Sequence, residues 1–289
     1  MNNIDNVIVG KDSNISDSCI FNGIKQKKGL ISFGDYCTVH ENCRFYTTNE
    51  FKMGDYGIIH NNTLVQGYKP CIIGHNAWIG QNSIINSTDS LRIGDNFAIG
   101  TSSKIWTHAF HGDLLLGCRI ATGIPDFESK SGEVTIGDDF WGMGQITIAP
   151  GVKIGNKVIA VTNSVITKDI PDNTIVGGVP AKPIPIDGDF KAYKNLNTNE
   201  KFDLMKNFAL QFSKINNVKI DVDNNKKIII LGNKEIMVIT DDSLERDVDI
   251  SYFDIIKRTY TKKHNHLEHK FMNFVIGYRA RFIPYNFID

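Results

Sequence analysis

An apolar residue followed by glycine recurs at a fixed interval of twenty residues, as Phe33-Gly34, Met53-Gly54, Ile73-Gly74 and Ile93-Gly94. Within each interval the apolar position returns every six residues, as in Phe33, Val39, Phe45 and again in Ile73, Ile79, Ile85. A six-residue beat matches neither the 3.6-residue turn of an α-helix nor the period-two alternation of a hairpin. It matches a parallel β-helix, in which short strands turn one branched side chain each into a narrow core. Three such strands close a triangular coil, so the twenty-residue period is one coil plus a two-residue bulge at a corner.

After an interruption the beat resumes without bulges as Ile136, Gly142, Ile148, Ile154, Ala160 and Ile166, and Val9, Ile15 and Phe21 fit a looser first coil. Together these predict about seven coils, a prism about 34 Å tall at the usual strand spacing. Asp or Asn follows the glycines repeatedly, as in Gly34-Asp35, Gly54-Asp55 and Gly94-Asp95-Asn96, which suits corners closed by side chain to main chain hydrogen bonds.

The beat stops near Pro183-Ile184-Pro185-Ile186, so residues 1–186 are expected to form the β-helix and 187–289 a small α+β domain. In the second part Phe202, Met205, Ala209, Phe212 and Ile215 follow helical spacing. Three strand-like runs come next, Val218 to Val222, Lys227 to Leu231 and Glu235 to Thr240, the last two joined by a two-residue turn at Gly232-Asn233. Phe253, Ile256 and Tyr260, then Leu267, Phe271, Phe274 and Tyr278, predict two further helices. The formal net charge of zero gives no field that would draw nucleic acid. Five scattered cysteines, no secretory leader and no membrane-length apolar run point to a reduced, cytoplasmic protein with no integral membrane segment.

The interruption, about residues 107–135, is a loop extruded from an otherwise regular solenoid, and such loops tend to carry function. His108 and His111 stand at its root, and histidine is the side chain best suited to take a proton near neutral pH. Phe110, Leu114, Leu115 and Leu116 are candidates for a lid, and Asp113 or Asp126 for orienting the base. Asn82 and Asn86, one coil below, are candidate sugar contacts, with asparagine stacking as the competing role. His40 and His60 share a phase and stack on one outer face; with no third ligand in sight, no metal site is expected. Cys37 and Cys43, one hexad apart, read as small buried thiols.

The ordered segments Ile136-Gly-Asp-Asp-Phe-Trp141-Gly-Met-Gly144, Ile148-Ala-Pro-Gly-Val-Lys-Ile154-Gly, Val165-Ile-Thr167-Lys168 and Gly178-Val-Pro180-Ala-Lys182 resemble the signature of hexapeptide-repeat acyltransferases, which include galactoside, maltose and surface-polysaccharide O-acetyltransferases. The resemblance covers roughly residues 1 to 185. It implies a left-handed helix, a homotrimer, and acetyl-CoA bound as acyl donor between neighbouring prisms. It further implies a catalytic histidine at the start of the extruded loop, for which His111, six residues after Ile105, is favoured over His108. Gly144 would supply an oxyanion donor, Trp141 would line the thioester end of the groove, and Thr162, Thr167, Lys168 and Lys182 would meet the rest of the coenzyme. The chain departs from the family in having Trp-Gly-Met-Gly in place of Trp-Ile-Gly-Gly, which puts Gly142 inward and suggests a looser coil.

The leading expectation is therefore an acetyl-CoA-dependent O-acetyltransferase of carbohydrate, a surface polysaccharide or its precursor, with direct attack assisted by a histidine base. The alternatives are N-acetylation of a nucleotide-linked amino sugar, a non-catalytic trimeric scaffold, and a metal-dependent hydratase.

Overall fold

The computed structural model describes residues 6–24, 27–109, 114–117, 122–124, 130–241, 246–277 and 279–285. The chain divides into two compact units, Met1–Tyr193 and Lys194–Asp289.

The first unit is a left-handed parallel β-helix with three faces, formed by sheets of seven, nine and seven strands among the described residues. One coil shows the plan: Cys71–Ile73 lies on the first face, Trp78–Ile79 on the second and Ile84–Ser87 on the third. The next coil repeats it in register, with Ile73 opposite Ile93, Ile79 opposite Ile99 and Ile85 opposite Ile105. These inward residues are at most 4% exposed and form one continuous core. The six-residue beat is thus the sequence image of three inward columns. The two-residue excess falls at the third corner, where the third-face strands lengthen to four residues, as in Leu64–Gly67.

The first corner, between the first and second faces, carries a ladder. The main-chain N–H of each corner residue donates to the side chain of its counterpart one coil on: Asp35 to Asp55 at 2.9 Å, Asp55 to His75 at 2.9 Å and His75 to Asp95 at 2.6 Å. It continues from Asp95 to Asp138, Asp138 to Asn156 and Asn156 to Asp172, each at 2.8 Å. These bonds satisfy main-chain donors at bends that the sheet pairing leaves unpaired.

Gly142 does point inward, but the coil around it is not loosened. It stays paired with Ile99 below and Ala160 above. An added Cβ would come within 2.8 Å of Ile146 and 3.3 Å of both Ile99 and Phe140, so neighbouring side chains already fill the space. Phe140 stacks on Phe97 with ring centroids 5.6 Å apart.

Residues 187–193 stay with the first unit because they hydrogen-bond to its last coil. Ile175 N donates to Phe190 O at 3.1 Å, and Tyr193 N to Asn173 Oδ1 at 2.8 Å. The second unit holds helix α1 (Thr198–Asn216), helix α2 (His266–Val275) and a six-stranded sheet. Helix α1 begins at a capping box, with Asn197 Oδ1 accepting from Glu200 N and Glu200 Oε2 accepting from Asn197 N.

Two expectations fail in this unit. The helix expected through Phe253, Ile256 and Tyr260 is an antiparallel strand pair, Ser251–Asp254 with Thr259–Thr261. Asp254 Oδ1 accepts from both Ile256 N and Lys257 N and turns the chain, so the apolar spacing marks two strands of one sheet. The Gly232-Asn233 turn is a longer loop, because Leu231 pairs with Ile236 and Lys234 takes a positive φ of 65°.

Candidate active site

The strand Lys104–Ile105 is the last of the regular third-face strands before the extruded loop. Beyond it the chain is held tightly. Thr107 is fully buried, and its Oγ1 donates to Asn86 Oδ1 at 2.9 Å and accepts from Asp89 N at 3.0 Å. Asp89 in turn grips the returning limb of the loop, its Oδ2 accepting from Gly132 N at 2.8 Å and from Ser131 Oγ at 3.3 Å. Gly132 must be glycine here, since a Cβ would sit 1.8 Å from the Thr107 carbonyl oxygen. The loop therefore leaves and rejoins the prism through a fixed root at the third corner, between the third and first faces.

His108 follows immediately, and its Nδ1 lies 3.0 Å from Asn86 Oδ1. Asn86 is completely buried, so its amide orientation is set by its neighbours. Its Oδ1 faces the main-chain N–H groups of Thr88 at 3.1 Å and Thr107 at 3.4 Å, which can only donate, while its Nδ2 donates to Thr88 Oγ1 at 3.1 Å. The atom facing His108 is thus an acceptor, and Nδ1 must carry the imidazole proton. That leaves a lone pair on Nε2. Burial holds the pKa of His108 below the ordinary 6.5, so the neutral ring predominates at neutral pH. The Trp106 ring meets the imidazole edge-on at 6.0 Å.

His111, Phe110, Asp113 and Asp126 lie outside the described residues. Of the lid candidates, Leu115 and Leu116 are almost fully exposed in a short 3-10 turn, Leu114–Leu116. Asn86 has no surface left with which to touch a sugar; burial and the bonds to His108, Thr107 and Thr88 occupy it. Asn82 sits at the second corner, away from His108, and accepts from Asn62 Nδ2 at 3.3 Å in the stacking role.

The residues expected to meet coenzyme A fall into two groups. Thr167 and Lys168 are exposed at the third corner, beyond Val165–Ile166 and on the same edge as His108. Trp141, 48% exposed, stands on the second face, while Gly144, with φ 144°, and exposed Thr162 mark the second corner. Lys182 is exposed in the short antiparallel pair with Gly177. Within one chain the third face separates the two groups.

His40 and His60 stack at 4.8 Å with rings 10° apart, and His60 also meets Trp78. Among the described residues no group of three or more His, Cys, Asp or Glu is placed to hold a metal ion. Cys37 and Cys43 are buried, and burial pushes the Cys37 thiol up to about 12. No helix among the described residues is long and apolar enough to cross a membrane.

Sequence reasoning missed Thr88, Asp89 and Thr107 as the frame of the histidine. The signal was present in Asn86-x-Thr88-Asp89, a cluster of turn-forming polar residues where the coil below has Gln66-Gly67-Tyr68-Lys69.

No family profile matches the chain. Curated relatives match over short stretches. WbbJ of Escherichia coli K12, which bears the name of a lipopolysaccharide biosynthesis O-acetyl transferase, is 44% identical over 61 residues, covering 21% of this chain and 31% of WbbJ. The chloramphenicol acetyltransferase of Klebsiella aerogenes is 41% identical over 59 residues, 20% of this chain and 28% of that protein. The galactoside O-acetyltransferase of E. coli K12 is 31% identical over 86 residues, 30% of this chain and 38% of that enzyme. The chain thus spans about a third of the length of the curated relatives it matches. Among solved structures, the N-acyltransferase AntD of Bacillus cereus, crystallised with dTDP and 3-hydroxybutyryl-CoA, aligns at 20% identity and TM-score 0.43 over 73% of this chain and 91% of AntD. The polySia-specific acetyltransferase NeuO aligns at 16% identity and TM-score 0.35 over 73% of this chain and all of NeuO. At these values the structural likeness carries no functional weight. Through its sequence matches, the chain is similar to the O-acetyltransferases that the hexapeptide-repeat acyltransferase family includes.

Proposed function

We propose that this protein is an acetyl-CoA-dependent O-acetyltransferase acting on a carbohydrate, with His108 as general base. The observation that carries the assignment is the hydrogen-bond network around Asn86. It holds the proton on His108 Nδ1 and leaves Nε2 unprotonated on a ring that burial keeps neutral. This reading takes His108 as the base on the strength of its own described surroundings; His111, favoured by the spacing, lies outside the described residues.

In the reaction, Nε2 takes the proton of the acceptor hydroxyl as its oxygen attacks the thioester carbonyl carbon. The C–O bond forms, the carbonyl electrons move to oxygen, and collapse breaks the C–S bond. The imidazolium then returns the proton to the leaving thiolate, so no acyl-enzyme is needed. In this reading a main-chain N–H near Gly144 steadies the developing oxyanion, and Trp141, Thr162, Thr167, Lys168 and Lys182 hold the acyl donor.

The two groups stand on different edges of one prism. The site is therefore complete only where the third corner of one copy meets the second face of another. In this reading a homotrimer, as the family resemblance implies, brings the two groups together between neighbouring copies.

The test is acetyl transfer from acetyl-CoA to a panel of glycans, following release of free thiol. His108→Ala is expected to lower kcat by about 10²- to 10⁴-fold with donor binding retained. If His111→Ala alone abolishes turnover, His108 is not the base. Acceptors bearing a free amine in place of the hydroxyl separate O- from N-transfer.

A further inference from the structure

Beneath His108, the third face and third corner form an open cleft of about 380 Å³, lined chiefly by Tyr46, Gln66, Tyr68 and Thr88. That volume is within the range of small-ligand sites. The register places the lining in order below the base. Tyr46 pairs with Gln66, and Gln66 with Asn86, on successive coils. Thr88 closes the upper end, and its Oγ1 accepts from Asn86 Nδ2, the residue whose Oδ1 receives His108 Nδ1. From Tyr46 to Thr88 the wall climbs two coils, about 10 Å, and the histidine stands one coil, about 5 Å, higher.

The chemistry of the lining is uniform. Two tyrosines offer flat apolar rings with hydroxyl tips, Gln66 an amide with both donors and acceptors, and Thr88 a hydroxyl. The other described lining residues, Gly23, Ile24 and Gly67, are uncharged as well. A pyranose ring presents the complement, an apolar C–H face edged by hydroxyls. A diphosphate or carboxylate ligand calls instead for Arg, Lys or a helix N-terminus, and none lines this cleft among the described residues.

We infer that this cleft is the acceptor subsite and that it takes a neutral glycosyl unit of a glycan or glycoside rather than a sugar nucleotide. The assignment rests on His108 being the base, since that residue fixes which end of the cleft faces the chemistry. Tyr46, Gln66 and Tyr68 are then specificity-determining residues. They hold the ring while one of its hydroxyls reaches Nε2.

The experiment uses the full chain with two ligand sets, neutral methyl glycosides and oligosaccharides against UDP- and dTDP-sugars, read by ligand-observed NMR and by acetyl transfer. The expected result is binding and turnover in the neutral set. Gln66→Leu and Tyr68→Ala should raise the acceptor KM by about tenfold or more, the cost of losing a hydrogen bond or a stacking ring. The KM for acetyl-CoA, and kcat at saturating acceptor, should stay within about threefold. Tyr68→Phe, which keeps the ring, separates lost contacts from a misfolded variant and should fall between wild type and Tyr68→Ala. Binding of the sugar nucleotides alone, no binding by any neutral glycan, or unchanged acceptor KM in both cleft variants would overturn the inference. An active His108→Ala enzyme would overturn the base assignment instead, whatever the cleft variants do.

Discussion

At the first corner of the β-helix, coil after coil repeats one device: an Asp, Asn or His side chain accepts the N–H of its counterpart below. At the third corner the twenty-residue copies disagree, reading Thr47-Thr48-Asn49, Gly67-Tyr68-Lys69, Ser87-Thr88-Asp89 and Thr107-His108-Ala109. Both corners meet the same demand, hydrogen bonds for a bending main chain. The third gathers its side chains around an imidazole, with Asn86, Thr88, Asp89 and Thr107 locked beside it. A solenoid can vary one edge freely while the other two keep the coils in register. The contrast also appears in the histidines: His75 Nδ1 accepts a main-chain N–H in the ladder, whereas His108 Nδ1 donates.

Substitution of Asn86 tests that contrast most severely. Asn86→Leu removes the acceptor that selects the tautomer, and kcat is expected to fall by about 10²- to 10³-fold with acetyl-CoA KM unchanged. A wrong imidazole tautomer costs up to about 10⁴-fold in kcat where an aspartate orients the ring, and the neutral Asn86 should cost somewhat less. Steady-state kinetics with both substrates read the split. Asn86→Asp sharpens the comparison by keeping the acceptor and adding a negative charge. On the proposal that His108 is the base, which burial holds below the ordinary 6.5, kcat/KM should hold at neutral pH and fall as pH drops through that lower value. The carboxylate should favour the imidazolium and move this acid limb upward, while an unmoved limb would separate the titration from His108.

Gly132→Ala drives a Cβ into the Thr107 carbonyl at the loop root. It should cost about 1–3 kcal/mol, measured by denaturant unfolding, with the loss of kcat exceeding the loss of stability. The smallest effect belongs to the first corner. Asp95→Ala removes the acceptor for His75 N and should cost about 1 kcal/mol without changing kcat.

The β-helix was legible because its core repeats: Ile73, Ile79 and Ile85 announce three faces, and Ile93, Ile99 and Ile105 repeat them. The second unit has no repeat to average over. There Phe253 and Tyr260, seven residues apart, fit a helix face and a strand pair equally well until Asp254 is seen to turn the chain. At the site, spacing brought out two histidines and Asn86 but left Asn86 between a sugar contact and asparagine stacking. Its partner lies 22 residues along the chain, and the direction of the bond between them depends on two main-chain N–H groups that no side-chain pattern records. Helix α1 was readable as a stripe of Phe202, Met205, Ala209 and Phe212, all buried.

The corner ladder also spaces its anions. Read upward it runs Asp35, Asp55, His75, Asp95, Asp138, Asn156, Asp172, so no more than two carboxylates ever stand in succession. Like charges one rung apart repel by about 1 kcal/mol even in water, and an unbroken aspartate column would accumulate that repulsion along the whole prism. The imidazole at 75 and the amide at 156 interrupt the carboxylates, keeping every rung an acceptor while dividing the column into runs of at most two aspartates.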